Sequence, residues 1–108
     1  MKKNTNNNGT KMTNIEVLTA ELQKIAEKYN MVVDFSEMEE LDMITFEGKC
    51  PRQAYDETRW VFIKMGVELC YEPGNEKTRI FPSAEYGMTI MLKDNLVATW
   101  GKKTYKPL

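Results

Sequence analysis

The chain has 108 residues, of which 42% are hydrophobic and 29% charged, as expected for one globular domain with one core. It contains no histidine and only two cysteines, which excludes Ser-His-Asp and Cys-His nucleophile pairs, histidine metal ligands and a zinc site built from cysteine alone. The net charge is −1, so the chain as a whole is neither a polyanion nor a polycation.

The charge is nevertheless unevenly distributed. The first 12 and the last 7 residues each carry three lysines and no acid. All 16 acidic residues lie between positions 13 and 101, against 9 of the 15 basic residues, so this segment carries −7. Since nucleic-acid binding depends on neutralising phosphates, nucleic acid is not expected to lie across the folded body.

These patterns divide the chain into three segments. Residues 1–12 are predicted to be a disordered Asn/Lys-rich leader, because positions 2–11 offer no apolar side chain to bury. Residues 13–101 are expected to form a single α+β domain, and residues 102–108 a basic C-terminal tail. No apolar stretch follows the basic start and no run approaches the ~18 apolar residues of a membrane span. We therefore expect a cytoplasmic protein with free thiols and no membrane partner.

Two helices are predicted. Thr13 and Glu16 have the spacing of a capping box, and an apolar stripe with steps of three and four residues continues from there to Tyr29, before Asn30 as a left-handed stop. A second helix is expected to begin at Pro51 and to end before Gly66.

Strands are predicted between and after the helices. Residues 31–35 and 43–46 are rich in β-branched and aromatic side chains. Beyond Gly66 the apolar period changes from 3.6 to 2, which predicts strands at 67–71, 77–81, 88–92 and 96–100. Turn residues at 72–75 and Asp94-Asn95 separate two of these pairs, and Pro82-Ser83 breaks the chain between them. The predicted fold class is α+β: two helices packed on a mainly antiparallel sheet of about five to six strands, in the order α-β-β-α-β-β-β-β.

One constellation could perform catalysis. Asp34 lies in the first predicted strand and Glu47-Gly48-Lys49 at the end of the second, so that an extended backbone would direct Glu47 and Lys49 to one face. With Gln53 opening the next helix, this order resembles that of the PD-(D/E)xK nucleases over residues 14–71. The resemblance implies a Mg²⁺-dependent nuclease in which Asp34 and Glu47 bind the metal and Lys49 polarises the attack.

Other residues could bind a partner. Residues 37–42 form an acidic stretch, which would dock on a basic surface through Glu37, Met38, Glu39, Glu40 and Asp42. A tryptophan on the polar side of the second helix, Trp60, is a residue type common at interfaces. Cys50, before Pro51 at a helix start, is interpreted as a structural thiol. At the C-terminus, aromatic residues alternate with Lys102, Lys103 and Lys106, a mixture that could contact single-stranded nucleic acid.

Without histidine, a glycine-rich phosphate loop or a complete catalytic set, the sequence favours a non-enzymatic protein-binding regulator or inhibitor that needs no cofactor. Its expected partner is a larger protein with a basic surface, and a homodimer is possible. Small accessory proteins of this type are common in phages and mobile elements, and the Asn/Lys-rich leader is typical of an AT-rich bacterial source. The alternatives are the Mg²⁺-dependent nuclease and a single-stranded nucleic-acid-binding module that uses the basic tails.

Overall fold

A computed structural model describes residues 11–72 and 76–107, so residues 1–10 of the predicted leader lie outside the described part. Three helices and four strands follow one another as α1 (Asn14–Lys28), β1 (Val32–Asp34), α2 (Met38–Leu41), β2 (Met43–Glu47), α3 (Arg52–Lys64), β3 (Arg79–Ser83) and β4 (Gly87–Met91). A 3-10 turn at Trp100–Lys102 comes last. The four strands form one antiparallel sheet in the order β1-β2-β4-β3. The α+β class is confirmed, but the described chain has one helix more and fewer strands than predicted.

The helices begin and end where local chemistry predicts. Thr13 and Glu16 form the reciprocal capping box, with the Thr13 N–H donating to Glu16 Oε1 over 2.7 Å. Asn30 has φ of 58° and ends the first helix, and Gly66, with φ of 80°, follows the third. The additional helix α2 lies inside the acidic stretch, where no helix was predicted.

The sheet buries one face only. Residues paired across antiparallel strands point to the same side, and Ile44 is paired with Ile90, which is paired with Ile80. All three are buried, as are the next inward pair, Phe46 and Met88. This face forms one hydrophobic core with the apolar stripes of α1 and α3.

The two long helices lie antiparallel over that face. Lys28 near the end of α1 contacts Glu57, and Glu21, two turns earlier, contacts Lys64 near the end of α3. Thr58 is fully buried between the helices and the sheet, and its hydroxyl donates to the carbonyl of Ala54 over 2.8 Å.

The predicted strand at 67–71 is wrong. Val67 and Cys70 are the buried residues of this segment, a spacing of three that an extended strand cannot direct to one face. The thiol of Cys70 accepts from the N–H of Glu72 at 3.3 Å and turns the backbone there. A single parallel bridge joins Leu69 to Thr78. The predicted turn at 72–75 falls largely on residues 73–75, outside the described part.

Two further C-terminal predictions are corrected. Pro82 does not break the chain but lies within β3, where an edge strand requires no N–H on its free side. Residues 96–100 form turns instead of a strand. Leu96 and Val97 are both buried although adjacent, which turn geometry permits and strand alternation does not.

The start of the predicted basic tail is packed against the helix α1. The N–H of Asn14 donates to the carbonyl of Lys103 over 2.8 Å, and the N–H of Tyr105 donates to Met12 over 2.9 Å. An isolated antiparallel bridge joins Thr13 to Thr104. The backbone of residues 103–105 is therefore held in place.

Substitution of Gly87 tests how closely the backbones of β2 and β4 approach each other. Its φ is 123°, and a Cβ there would lie 2.0 Å from the carbonyl oxygen of Phe46. Gly87→Ala is expected to lower the free energy of unfolding by about 3 kcal/mol, since strain and a backbone clash combine. Gly66, with φ of 80° and nothing within 4 Å of an added Cβ, is the matched control, and Gly66→Ala should cost roughly 1 to 2 kcal/mol. Equal losses in urea denaturation would show that the clash at Gly87 is relieved.

Candidate functional site

The face of the sheet opposite the helices is not covered by any described element, and we refer to it as the open face. Strand register places on it the alternate residues of all four strands. Its side chains are Val32, Asp34, Met43, Thr45, Glu47, Arg79, Phe81, Ser83, Thr89 and Met91. Among these, Val32 is 68% exposed, Phe81 41% and Met91 38%. An antiparallel sheet tolerates water on one face, but this one also presents large apolar side chains to it.

Sequence reasoning missed the apolar members of the open face. Val32, Phe81 and Met91 each directly follow a buried residue, so the change from an inward to an outward side chain was the available signal once β3 and β4 were correctly bounded. Tyr86, in the turn between those strands, is 81% exposed. The guanidinium of Arg79 lies 4.5 Å from the ring centre of Phe81, a distance at which a cation and an aromatic face attract each other.

The two carboxylates of the nuclease hypothesis both lie on the open face. Asp34 is paired with Thr45, and Glu47 with Val32, so the carboxylates are diagonal neighbours with roughly 7 to 8 Å between their Cα atoms. A hydrogen bond from the Ser36 N–H to Asp34 Oδ1, 2.8 Å long, lowers the pKa of this carboxyl. Asp34 is therefore an exposed, ionised carboxylate near neutral pH.

The geometry gives Lys49 a different position from the one expected. β2 ends at Glu47, and Gly48 has φ of 123°, so the extended backbone that would align Lys49 with Glu47 is interrupted. In residues 11–72 and 76–107, no three acidic or cysteine side chains are grouped so that they could hold a metal ion.

We refer to α2 together with its flanking residues, Glu37–Asp42, as the acidic helix. Some of its carboxylates contact other parts of the chain, and others are available to a partner. Asp42 has φ of 50°, and its Oδ2 accepts from the N–H of Asn95 at 3.3 Å. Glu39 lies 3.3 Å from the Nζ of Lys102.

The remaining residues of the acidic helix differ in exposure. Glu37 and Glu40 are exposed, and neither forms an ion pair with any residue that the structure describes. Leu41 is 55% exposed, whereas Met38 packs against the core. The carboxylates available to a partner are therefore Glu37 and Glu40.

Trp60 lines the groove between α1 and α3, and no residue of the acidic helix lines that groove. It is 60% exposed. Glu57 lines the same groove, where it accepts from the hydroxyl of Tyr29 and lies 3.0 Å from the Nζ of Lys28. The structure therefore separates Trp60 from the acidic residues with which it was grouped as a partner-binding set.

Sequence reasoning also missed a cluster of arginine and tyrosine on the side of α3. The Nε of Arg59 donates to the hydroxyl of Tyr71 over 2.7 Å, and its guanidinium lies 5.8 Å from the ring centre of Tyr55. Tyr55 also lines a cleft with Cys50. Burial raises the pKa of the Cys50 thiol, which opposes formation of a reactive thiolate.

None of the helices in the described chain is long and apolar enough to cross a membrane. Comparisons with protein-family models, with curated proteins and with solved structures found no match. The assignment of the candidate site therefore rests on the geometry of this chain and on no related protein.

Substitutions at Asp42 and Glu40 test the distinction between carboxylates that support the fold and carboxylates that are available to a partner. Asp42→Ala is expected to lower the free energy of unfolding by about 1 to 2 kcal/mol, because it removes an acceptor and places alanine at positive φ. Glu40→Ala should change it by less than about 0.5 kcal/mol. Chemical denaturation of both variants measures this, and an equal effect would contradict the division of roles.

The contact of Glu57 with Tyr29 and Lys28 predicts a pH dependence. The hydrogen bond from Tyr29, followed by that from Lys28, lowers the pKa of Glu57 below its ordinary 4.5. Its stabilising contribution is therefore complete above the ordinary pKa and is lost as the pH falls through the lowered folded-state pKa.

At neutral pH, Glu57→Gln should be less stable than wild type by up to about 1 kcal/mol, and the difference should disappear in acid. Thermal unfolding between neutral pH and the acid range measures both differences. A difference for Glu57→Gln that is constant with pH would contradict the assignment.

Proposed function

We propose that this protein is a small protein-binding regulator or inhibitor, of the kind that phages and mobile elements encode, which docks on a larger protein with a basic surface. Docking would use the open face of the sheet together with the acidic helix. The observation that supports this most directly is an uncovered sheet face on which large apolar side chains and carboxylates are exposed together. No cofactor is needed for such a role.

The apolar part of this surface would supply binding energy. Val32, Phe81 and Met91 on the open face, with Leu41 of the acidic helix, are between 38% and 68% exposed. Interfaces typically have an apolar centre within a polar rim. Thr45 and Thr89 are paired in the middle of the sheet and offer hydroxyl groups beside Phe81.

The charged part of this surface would select the partner. Asp34 and Glu47 are exposed on the open face, and Glu37 and Glu40 on the acidic helix. Arg79, the basic residue within the strands of this face, is placed over the ring of Phe81. The surface is therefore acidic in sum, and complementary lysines and arginines on a partner would raise the association rate and reject acidic proteins.

The test is affinity capture from bacterial lysate with three immobilised forms of the intact protein. Wild type is compared with Glu37→Lys/Glu40→Lys and with the control Glu27→Lys/Glu76→Lys, which reverses two exposed acids away from the proposed surface. We expect a stoichiometric basic protein that the control retains and the Glu37/Glu40 variant loses by roughly tenfold or more, since each reversed charge replaces attraction by repulsion.

A protein captured equally by all three forms would contradict the proposed surface. The same preparations are incubated with DNA and RNA in Mg²⁺, because Asp34 and Glu47 share one face. Cleavage abolished by Glu47→Ala in a folded protein would replace this proposal with the nuclease alternative.

A further inference from the structure

We propose that a cleft at the C-terminal end of the described chain binds a nucleoside phosphate, with the phosphates among three lysines and the base against Trp100. This site adjoins the acidic helix of the proposed docking surface through the Glu39–Lys102 pair, but it does not depend on the proposed function.

The cleft has a volume of about 630 Å³, within the range of small-molecule sites. Its lining combines cationic, aromatic and hydroxyl groups. The contributing residues are Asn14, Met65, Trp100, Lys102, Lys103, Thr104 and Lys106. Three lysines among the lining residues create a local positive potential beside residues 13–101, which carry −7.

Lys102 and Lys103 stand on a backbone that hydrogen bonds hold in place. Lys103 accepts from the N–H of Asn14, and the following residues are tied to Met12 and Thr13. The side-chain amide of Asn14 also donates to the carbonyl of Trp100 over 2.9 Å. These contacts reduce the entropy lost when the lysines converge on a ligand, in contrast to a frayed terminus.

Two of the three lysines of the cleft form no ion pair within the described residues. Lys103 and Lys106 are exposed and make no ion pair with any residue in the described ranges. Lys102 lies 3.3 Å from Glu39 on the acidic helix, with both side chains exposed, so a bound phosphate would compete with Glu39 for this ammonium group. Lysine acts as a point-charge donor to phosphate.

Trp100 and the acidic body define the ligand class. Trp100 is partly buried against the core and lines the same cleft as Met65, which gives a base an apolar surface on which to stack. A long nucleic acid would have to cross the folded segment, whose charge is −7. A ligand with its charge concentrated at one end avoids that repulsion, which favours a free nucleotide or the phosphorylated terminal nucleotide of a single strand.

The test follows Trp100 fluorescence in the intact protein carrying Trp60→Phe, since the chain contains two tryptophans. The probes are ATP, inorganic tripolyphosphate, and hexathymidylate with and without a 5′-phosphate, at low and moderate salt. We expect saturable quenching by ATP or by the phosphorylated oligonucleotide, and weaker binding at higher salt. Lys103→Gln/Lys106→Gln should weaken binding by roughly tenfold or more, because two phosphate contacts are lost.

The control is Lys24→Gln/Lys28→Gln, which removes two exposed lysines outside the cleft and should bind like wild type. Quenching by ATP alone identifies a free nucleotide, and quenching by the phosphorylated oligonucleotide but not by its unphosphorylated form identifies a strand terminus. Tripolyphosphate binding as tightly as ATP, no binding of any probe, or equal binding by the lysine variant would each overturn the proposal. Loss of protein capture by the Glu37/Glu40 variant is independent of these outcomes.

Discussion

Burial of a single face of the sheet beneath two antiparallel helices is the constraint on which the rest of the structure depends. Ile44, Ile80 and Ile90 form one paired row on the inner face, and each lies next to residues that must point outward. The two long helices of the described residues cover one face, and no described element covers the other. The exposed Val32 and Phe81 follow directly from this arrangement.

The same arrangement divides the acidic residues by role. Asp42 accepts from the N–H of Asn95 in the turn after β4, and Glu39 contacts Lys102, whereas Glu37 and Glu40 are exposed to solvent. The Glu39–Lys102 pair also marks the boundary between an acidic surface and a lysine-lined cleft. Opposite charges are therefore concentrated in neighbouring regions of one small domain, where each can attract a different kind of partner.

Prediction from sequence succeeded where the determining interactions are local. The capping box of Thr13 and the stops at Asn30 and Gly66 depend on residues within a few positions of one another, and all three are present. The strand predictions for residues 67–71 and 96–100 were wrong, because alternation of apolar residues does not show which of these residues reach the core. Of the candidate site, only the carboxylates were predicted from the sequence. Whether a face of the sheet is covered depends on where the other described elements pack, which a local pattern does not show.

The sequence by itself determined the α+β class, the bounds of the two long helices and the acidity of residues 13–101, because these depend on composition, periodicity and short-range hydrogen bonds. Only the tertiary structure decided which residues share a surface. It placed Asp34 and Glu47 on one face, removed Trp60 to the groove between the helices, and fixed Lys103 beside Asn14. The physical reason is that strand register and long-range packing join residues far apart in the chain, and periodicity carries no information about those contacts.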